Sequence, residues 1–154
     1  MDYLVLIHAI DFLPQLFDIV VVSPTVRGEL DREETPALVR QWIANPPLWL
    51  HVRAVAATQI ILPRSLHRGE RDAINLVLQA RADLLLMDDR AGITAARALG
   101  LSATGTLGLL AIAQEHGFIT LDEAYARLTT TNFRYRRELM DALLARYSKR
   151  RGDD

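Results

Sequence analysis

Two adjacent aspartates, Asp88 and Asp89, directly follow the apolar run Leu84–Met87. Neighbouring carboxylates repel one another and are costly to bury unless a positive charge joins them. A divalent cation is the obvious partner, because hard cations prefer carboxylate oxygens. The alternative interpretation is that one aspartate caps the helix predicted over Ala91–Leu99 while the other is solvated. Both interpretations place the pair at the carboxyl end of a strand.

Three further acidic residues lie near the ends of predicted elements. Glu29 is in the helix that follows the β-branched run Ile19–Val22, and Glu70 and Asp72 are in the first turn of a later helix. Such positions can converge on one edge of a parallel sheet, where ligands bind. A cluster of carboxylates that holds Mg²⁺ or Mn²⁺ is typical of sites that cleave phosphodiesters. The metal lowers the pKa of bound water, which is the nucleophile, and neutralises charge on the phosphate. Alternatively, Glu70 and Asp72 only complement the helix dipole, and Glu29 only lies on a solvated helix face.

Short apolar runs alternate with helical segments along the chain. The runs Ile19–Val22, Leu84–Met87 and Leu101–Thr104 are typical of strands in a parallel sheet, and Leu48–Ala54 alternates as an edge strand does. Helical patterns lie between them, over Tyr3–Ile10, Phe12–Phe17, Pro24–Arg32, Ala37–Ala44, Gly69–Ala80, Ala91–Leu99, Thr106–His116, Asp122–Leu128 and Asn132–Tyr147. This order predicts an α/β fold with helices on both faces of a mainly parallel central sheet.

The composition limits the class of protein. Of 154 residues, 50% are hydrophobic, which fits one domain over residues 1–147 and a charged, frayed tail over 148–154. A net charge of −1 implies no general attraction to nucleic acid or to an anionic membrane. The chain has no cysteine, and its four histidines lack the spacing of a zinc site. We expect no signal peptide, no membrane span and a cytoplasmic location.

Several segments resemble the acidic motifs of PIN domains. Val21–Leu30 resembles their second acidic motif, Gly69–Ile74 their third and Leu84–Gly92 their fourth. Gly105–Leu110 is similar to a segment of one poorly characterised prokaryotic PIN subfamily, related to VapC-type toxins. The likeness extends over nearly the whole chain, and the motifs occur in the family's order.

The resemblance implies a three-layer α/β/α fold and the cleavage of single-stranded RNA with Mg²⁺ or Mn²⁺. It assigns Glu29, Glu70 and Asp89 as the catalytic and metal-binding acids, with Asp88 and Asp72 as alternates. It also implies a toxin that is neutralised by a small antitoxin protein, and a homodimer.

The chain departs from the family pattern at its beginning, where the family has a short apolar strand that ends in an aspartate. Asp2–Ile7 fits only loosely the family motif that begins with this aspartate, which makes Asp2 a weak candidate for the first metal ligand. Aligning Ile10–Pro14 with the family's first helix instead places that strand and its aspartate before Met1, and we favour this alignment. The sheet would then have exposed edges. The alternative function is a non-catalytic nucleic-acid- or protein-binding protein on a truncated PIN scaffold.

Basic residues near the C-terminus suggest a surface for RNA phosphates. Arg134 and Arg137, together with Arg90 after the aspartate pair, are the candidate contacts. The alternative is that Asn132–Tyr147 is an ordinary docking helix with a solvated basic face.

The glycines of Gly105–Gly108 suggest a second place for a phosphate, at a helix N-terminus. A plain helix start that is capped by Thr106 is the favoured interpretation, because threonine is a common N-cap.

Overall fold

The structure, a computed structural model, describes residues 1–150, with side chains described as far as Tyr147. The helices are α1 (Asp2–Leu6), α2 (Leu13–Leu16), α3 (Pro24–Leu30), α4 (Ala37–Ala44), α5 (Arg68–Ala80), α6 (Arg90–Ala98), α7 (Thr106–Glu115), α8 (Leu121–Leu128) and α9 (Arg137–Arg150). The strands are β1 (Val20–Val22), β2 (Leu50–Val52), β3 (Leu85–Leu86) and β4 (Ala103–Thr104). A 3₁₀ turn over Ile10–Phe12 precedes α2. No helix in this part of the chain combines the length and the apolarity that crossing a membrane requires.

The strands pair in parallel, which confirms the predicted α/β fold. Val20 of β1 lies opposite Leu50 of β2, and Leu85 of β3 lies opposite Ala103 of β4. Within the described residues these pairs form two separate two-stranded sheets. The parallel arrangement follows from the helices that connect successive strands, because a parallel pair needs a long crossover connection.

The apolar core is divided in the same way as the strands. The larger cluster packs α1, α4, α7 and α8 around β1 and β2, and the smaller one packs α5 and α6 against β3 and β4. Leu85 and Met87 belong to the smaller cluster, whereas Leu84 and Leu86 pack against the larger one. Because successive strand residues point to opposite faces, β3 is covered by both clusters. The two clusters therefore form layers on either side of β3.

The first helix is shorter than predicted. The pattern predicts a helix over Tyr3–Ile10, but α1 ends at Leu6. His8 has a φ of 55°, in the left-handed region, and the Ala9 N–H donates to the Leu4 carbonyl at 2.9 Å. A left-handed residue followed by a hydrogen bond back into the last turn is a common way to end a helix.

The last helix begins later than predicted, at Arg137, and its backbone continues to Arg150. The first three residues of the predicted tail, 148–150, thus continue α9. The rest of that tail, 151–154, lies outside the described residues.

Candidate active site

The candidate acids lie in two groups. The first group lies in a pocket of 460 Å³ between α3 and α5, which is lined by Glu29, Arg32, His67, Arg68 and Glu70. The second group lies at the carboxyl end of β3. Within the part of the chain that the structure describes, no three acidic or histidine side chains come together in a position to hold one metal ion.

Glu29 reaches the first turn of α5 because position 69 has no side chain. A Cβ atom on Gly69 would lie 2.8 Å from each carboxylate oxygen of Glu29. The first turn of a helix carries unpaired N–H groups and the positive end of the helix dipole, which favour a carboxylate there. Gly69 leaves the space that the Glu29 carboxylate occupies, a contact that residue types and spacing do not reveal. A glycine directly before an acid in a helical first turn was no more than a hint of it.

Glu70 and Asp72 each have a structural role in α5. Glu70 accepts a hydrogen bond from the His67 N–H at 2.9 Å, which ties down the helix start. Asp72 accepts one from the Thr25 hydroxyl at 2.5 Å, which links α3 to α5. Both carboxylates are only partly buried. Glu70 lines the pocket beside Glu29, while the hydrogen bond of Asp72 joins α5 to α3.

The aspartate pair caps two helices. Asp89 is the N-cap of α6, and its Oδ1 atom accepts the Gly92 N–H at 2.8 Å. Asp88 accepts two hydrogen bonds from Thr106, one from the N–H and one from the hydroxyl, both at 2.7 Å. The capping role considered from the sequence is thus observed for Asp89, but Asp88 is hydrogen-bonded and not merely solvated.

The prediction that Thr106 caps α7 is wrong. The N-cap is Gly105, and Thr106 is the first helical residue, which donates to Asp88. Because β3 and β4 are parallel neighbours, their carboxyl ends bring Asp88 to the start of α7. The aspartate that follows β3 therefore accepts the first N–H group of the helix that follows β4.

Three charged side chains influence the ionisation of Tyr3. The pKa of Tyr3 is raised by burial and by the negative charges of Asp2 and Asp88, and it is lowered by the positive charge of Arg134. The Asp2 Oδ1 atom also lies 3.4 Å from the amino group of Met1.

The three candidate RNA-binding arginines are exposed. Arg90 is the first residue of α6, directly after Asp89, and Arg137 is the first residue of α9. Arg134 lies in the loop before α9, and its positive charge lowers the pKa of Tyr3. The first group has its own cations, Arg32 and Arg68, which no pattern in the sequence indicates.

A family model described as a PIN domain matches residues 1–149. Searches of curated proteins and of solved structures found no match to this chain. The matched range includes both groups of acids and the three arginines.

Proposed function

Because the chain belongs to the PIN-domain family, we propose that it is a nuclease that cleaves single-stranded RNA. PIN domains have a nuclease-type fold and are generally dependent on a divalent metal ion, and PIN nucleases bind nucleic acid. The observation that carries the proposal is the pocket between α3 and α5, which contains Glu29 and Glu70 together with Arg32 and Arg68.

This pocket contains the groups that a phosphodiester requires. Guanidinium groups bind phosphate oxygens in a planar, often bidentate geometry, and Arg32 and Arg68 supply them. The carboxylates of Glu29 and Glu70 are suitable ligands for Mg²⁺ or Mn²⁺. Two carboxylates fall short of the cluster expected of a metal nuclease, so the described residues do not form a complete metal site.

We propose that Asp89 acts with Glu29 and Glu70 in catalysis and metal binding, and that Asp88 and Asp72 are the alternates. All three aspartates already accept hydrogen bonds within the protein, so a metal would have to share or replace these donors. Asp2 is a weaker candidate, because its described ionic partner is the terminal amino group.

The test is cleavage of labelled single-stranded RNA in Mn²⁺. We expect Glu70→Gln and Asp89→Asn each to abolish cleavage. The matched control is Glu123→Gln, since Glu123 is the third residue of α8 as Glu70 is of α5. A helix-dipole effect would be similar at both glutamates, about 0.3–1 kcal/mol, and would not abolish cleavage. Full cleavage by both site variants would refute the assignment.

The second candidate function is binding of nucleic acid or protein without catalysis. The observation that favours it is that the described residues bring no three metal-ligating side chains together. It predicts RNA binding without cleavage, and a melting temperature that Mn²⁺ does not raise. A Mn²⁺-dependent rise that is lost in Asp89→Asn would count against this function.

We extend the nuclease proposal to a toxin that is held inactive by a small antitoxin protein, and to a homodimer, as the family likeness implies. Arg90, Arg134 and Arg137 are the proposed contacts to RNA phosphates, since all three are exposed. Light scattering would measure the oligomeric state. Co-purification of a small protein with this chain from its own host would test for an antitoxin.

A further inference from the structure

Three aromatic side chains lie against one another at the loop between α8 and α9. The ring of Phe133 packs edge-on against Tyr3, with 4.8 Å between the ring centroids and 74° between the planes. The ring of Tyr135 is almost parallel to that of Phe133, at 9°, with 6.3 Å between the centroids. The rings of Phe133 and Tyr135 therefore share one side of the loop. We call these three residues the aromatic stack.

The aromatic stack is fixed at its inner end and exposed at its outer end. Tyr3 and Phe133 are partly buried and pack against the larger apolar cluster. The Thr131 hydroxyl donates to the Leu128 carbonyl at 2.7 Å and accepts the Phe133 N–H at 3.1 Å, which holds the loop against the end of α8. Tyr135, by contrast, is 36% exposed. A flat group from the solvent can thus extend the stack at Tyr135 without displacing any part of the core.

The loop that carries Tyr135 is strongly basic. Arg134, Arg136 and Arg137 are exposed, and the ion pairs among the described side chains involve none of them. The chain as a whole has a net charge of −1, so this positive charge is a local property of the loop. Guanidinium groups bind phosphate oxygens in a planar, often bidentate geometry. An exposed aromatic ring between such cations is the arrangement that binds a single-stranded nucleic acid, with bases on the ring and phosphates on the cations.

A single strand fits this loop better than a duplex or an acidic peptide. In an RNA duplex the bases stack on one another and side chains cannot reach their faces, whereas unpaired bases are open to aromatic side chains. An acidic peptide would pair with the arginines, but its carboxylates offer no flat ring to Tyr135. The aromatic stack therefore favours single-stranded RNA as the partner.

We propose that Tyr135 is a base-stacking residue for single-stranded RNA, that Phe133 and Tyr3 support its ring, and that the three arginines of the loop contact the flanking phosphates. This inference rests on the proposed function for its ligand, but it concerns binding and not cleavage. Every base has a flat face, so stacking on Tyr135 does not depend on base identity. The loop thus holds RNA of any sequence.

The experiment measures the affinity for a fluorescently labelled oligouridine by anisotropy in EDTA, which prevents metal-dependent cleavage. We expect Tyr135→Ala to weaken binding by about fivefold to a hundredfold, the loss that follows removal of one base–aromatic stack. Tyr135→Phe keeps the flat face and should bind as the unsubstituted chain does. Tyr135→Leu keeps the apolar bulk without the face, and should bind as weakly as Tyr135→Ala. The control is Leu139→Ala, which removes another exposed apolar side chain, 42% exposed, and should leave the affinity unchanged.

Salt dependence separates the stacked base from the phosphates. Tyr135→Ala should leave the slope of log affinity against log salt unchanged, because it removes no charge. Arg136→Gln should reduce the magnitude of this slope by about 0.7, the value for one phosphate contact to a single strand. A slope that does not change in Arg136→Gln would overturn the phosphate contact.

Equal affinities of Tyr135→Ala and the unsubstituted chain for oligouridine would overturn the proposal. Binding of Tyr135→Leu that matches Tyr135→Phe would also overturn it, because apolar contact would then suffice. An equal loss in Tyr135→Ala for a strand of the same length that lacks bases would exclude stacking. Binding of an acidic peptide by the loop, without binding of oligouridine, would show that the partner is a protein and would again overturn the proposal.

RNA cleavage in Mn²⁺ distinguishes this inference from the nuclease assignment. A chain that binds oligouridine through Tyr135 but cleaves no RNA would refute the nuclease assignment and support the stacking site. A chain that cleaves RNA with the same KM in Tyr135→Ala as in the unsubstituted chain would support the nuclease assignment and overturn the stacking site, since lost ground-state binding raises KM.

Discussion

The carboxylate of Glu29 occupies the space that a methyl group at position 69 would need. We therefore expect Gly69→Ala to displace this carboxylate while the helix remains intact, because alanine is a better helix former by up to ~1 kcal/mol. The rate of RNA cleavage in Mn²⁺ should fall by about tenfold to a hundredfold, because small misplacements of reacting groups slow enzymatic reactions by such factors. The control is Gly28→Ala in α3, whose added Cβ meets nothing within 4 Å. Undiminished cleavage by a folded Gly69→Ala protein would argue against a role for Glu29.

Tyr125 is 2% exposed, and its hydroxyl donates to the Leu107 carbonyl at 3.0 Å. Burial, and to a lesser extent Tyr147, raises its pKa above the ordinary value of 10.0. As the pH rises, the Tyr125 hydroxyl therefore loses its proton in the unfolded chain before it does so in the folded chain. The stability that the protonated hydroxyl contributes is complete below pH 10 and is lost as the pH rises further.

We expect Tyr125→Phe to lower the free energy of unfolding by about 1 kcal/mol at pH 7 and to flatten its decline above pH 10. Urea unfolding from pH 7 to pH 11 measures both effects. Tyr135→Phe, at an exposed tyrosine, should behave as the unsubstituted chain does. An unchanged pH dependence in Tyr125→Phe would show that other groups cause the decline.

At the scale of elements, the hydrogen bonds from Thr106 to Asp88 join the end of β3 to the start of α7. Thr106 is fully buried, so Thr106→Val leaves the Asp88 Oδ2 atom without its hydroxyl donor. The free energy of unfolding should fall by about 0.5–1.5 kcal/mol, the net range for one hydrogen bond, because water can reach the exposed Asp88 carboxylate. Urea denaturation measures it, with Thr106→Ser as the variant that keeps the hydroxyl. Equal losses in the two variants would mean that packing, and not the hydroxyl, matters at this position.

Local patterns predicted the elements well where local forces decide them. The helix Ala37–Ala44 has the predicted bounds, because proline starts and stops lie on both sides of it. The end of α1 was missed, since apolar periodicity continues past Leu6 while the backbone turns at His8.

Contacts between distant residues could not be read from spacing. Glu29 and Gly69, which approach one another, are forty positions apart in the sequence. The N–H group at the start of α7 is bound by Asp88, eighteen positions earlier, and not by the cap predicted at Thr106. The acids themselves were chosen by residue type and position, but their separation into two groups depends on packing. Their part in catalysis stays a prediction.

For the whole molecule, the divided core predicts two unfolding units. Met87 is in the smaller cluster and Leu109 is in the larger. We expect Met87→Ala, at a cost of about 2–5 kcal/mol, to speed the hydrogen exchange of the Leu85 and Met87 amides much more than that of the Val20 amide. Leu109→Ala should instead speed the exchange of the Val20 amide much more than that of the Leu85 and Met87 amides. Uniform acceleration in both variants would indicate a single cooperative unit.

Helix α5 lines two separate concave places on the molecule. Glu70, in its first turn, lines the pocket with the arginines, while Leu76 and Val77, two turns later, line a groove between β1 and β3. One rigid rod of 13 residues, about 20 Å long, thus touches both places. A ligand that binds in the groove and, by shifting this rod, changes the affinity of the pocket for RNA must in turn have its own affinity changed by RNA, by the same factor. Thermodynamic reciprocity would make each ligand a regulator of the other.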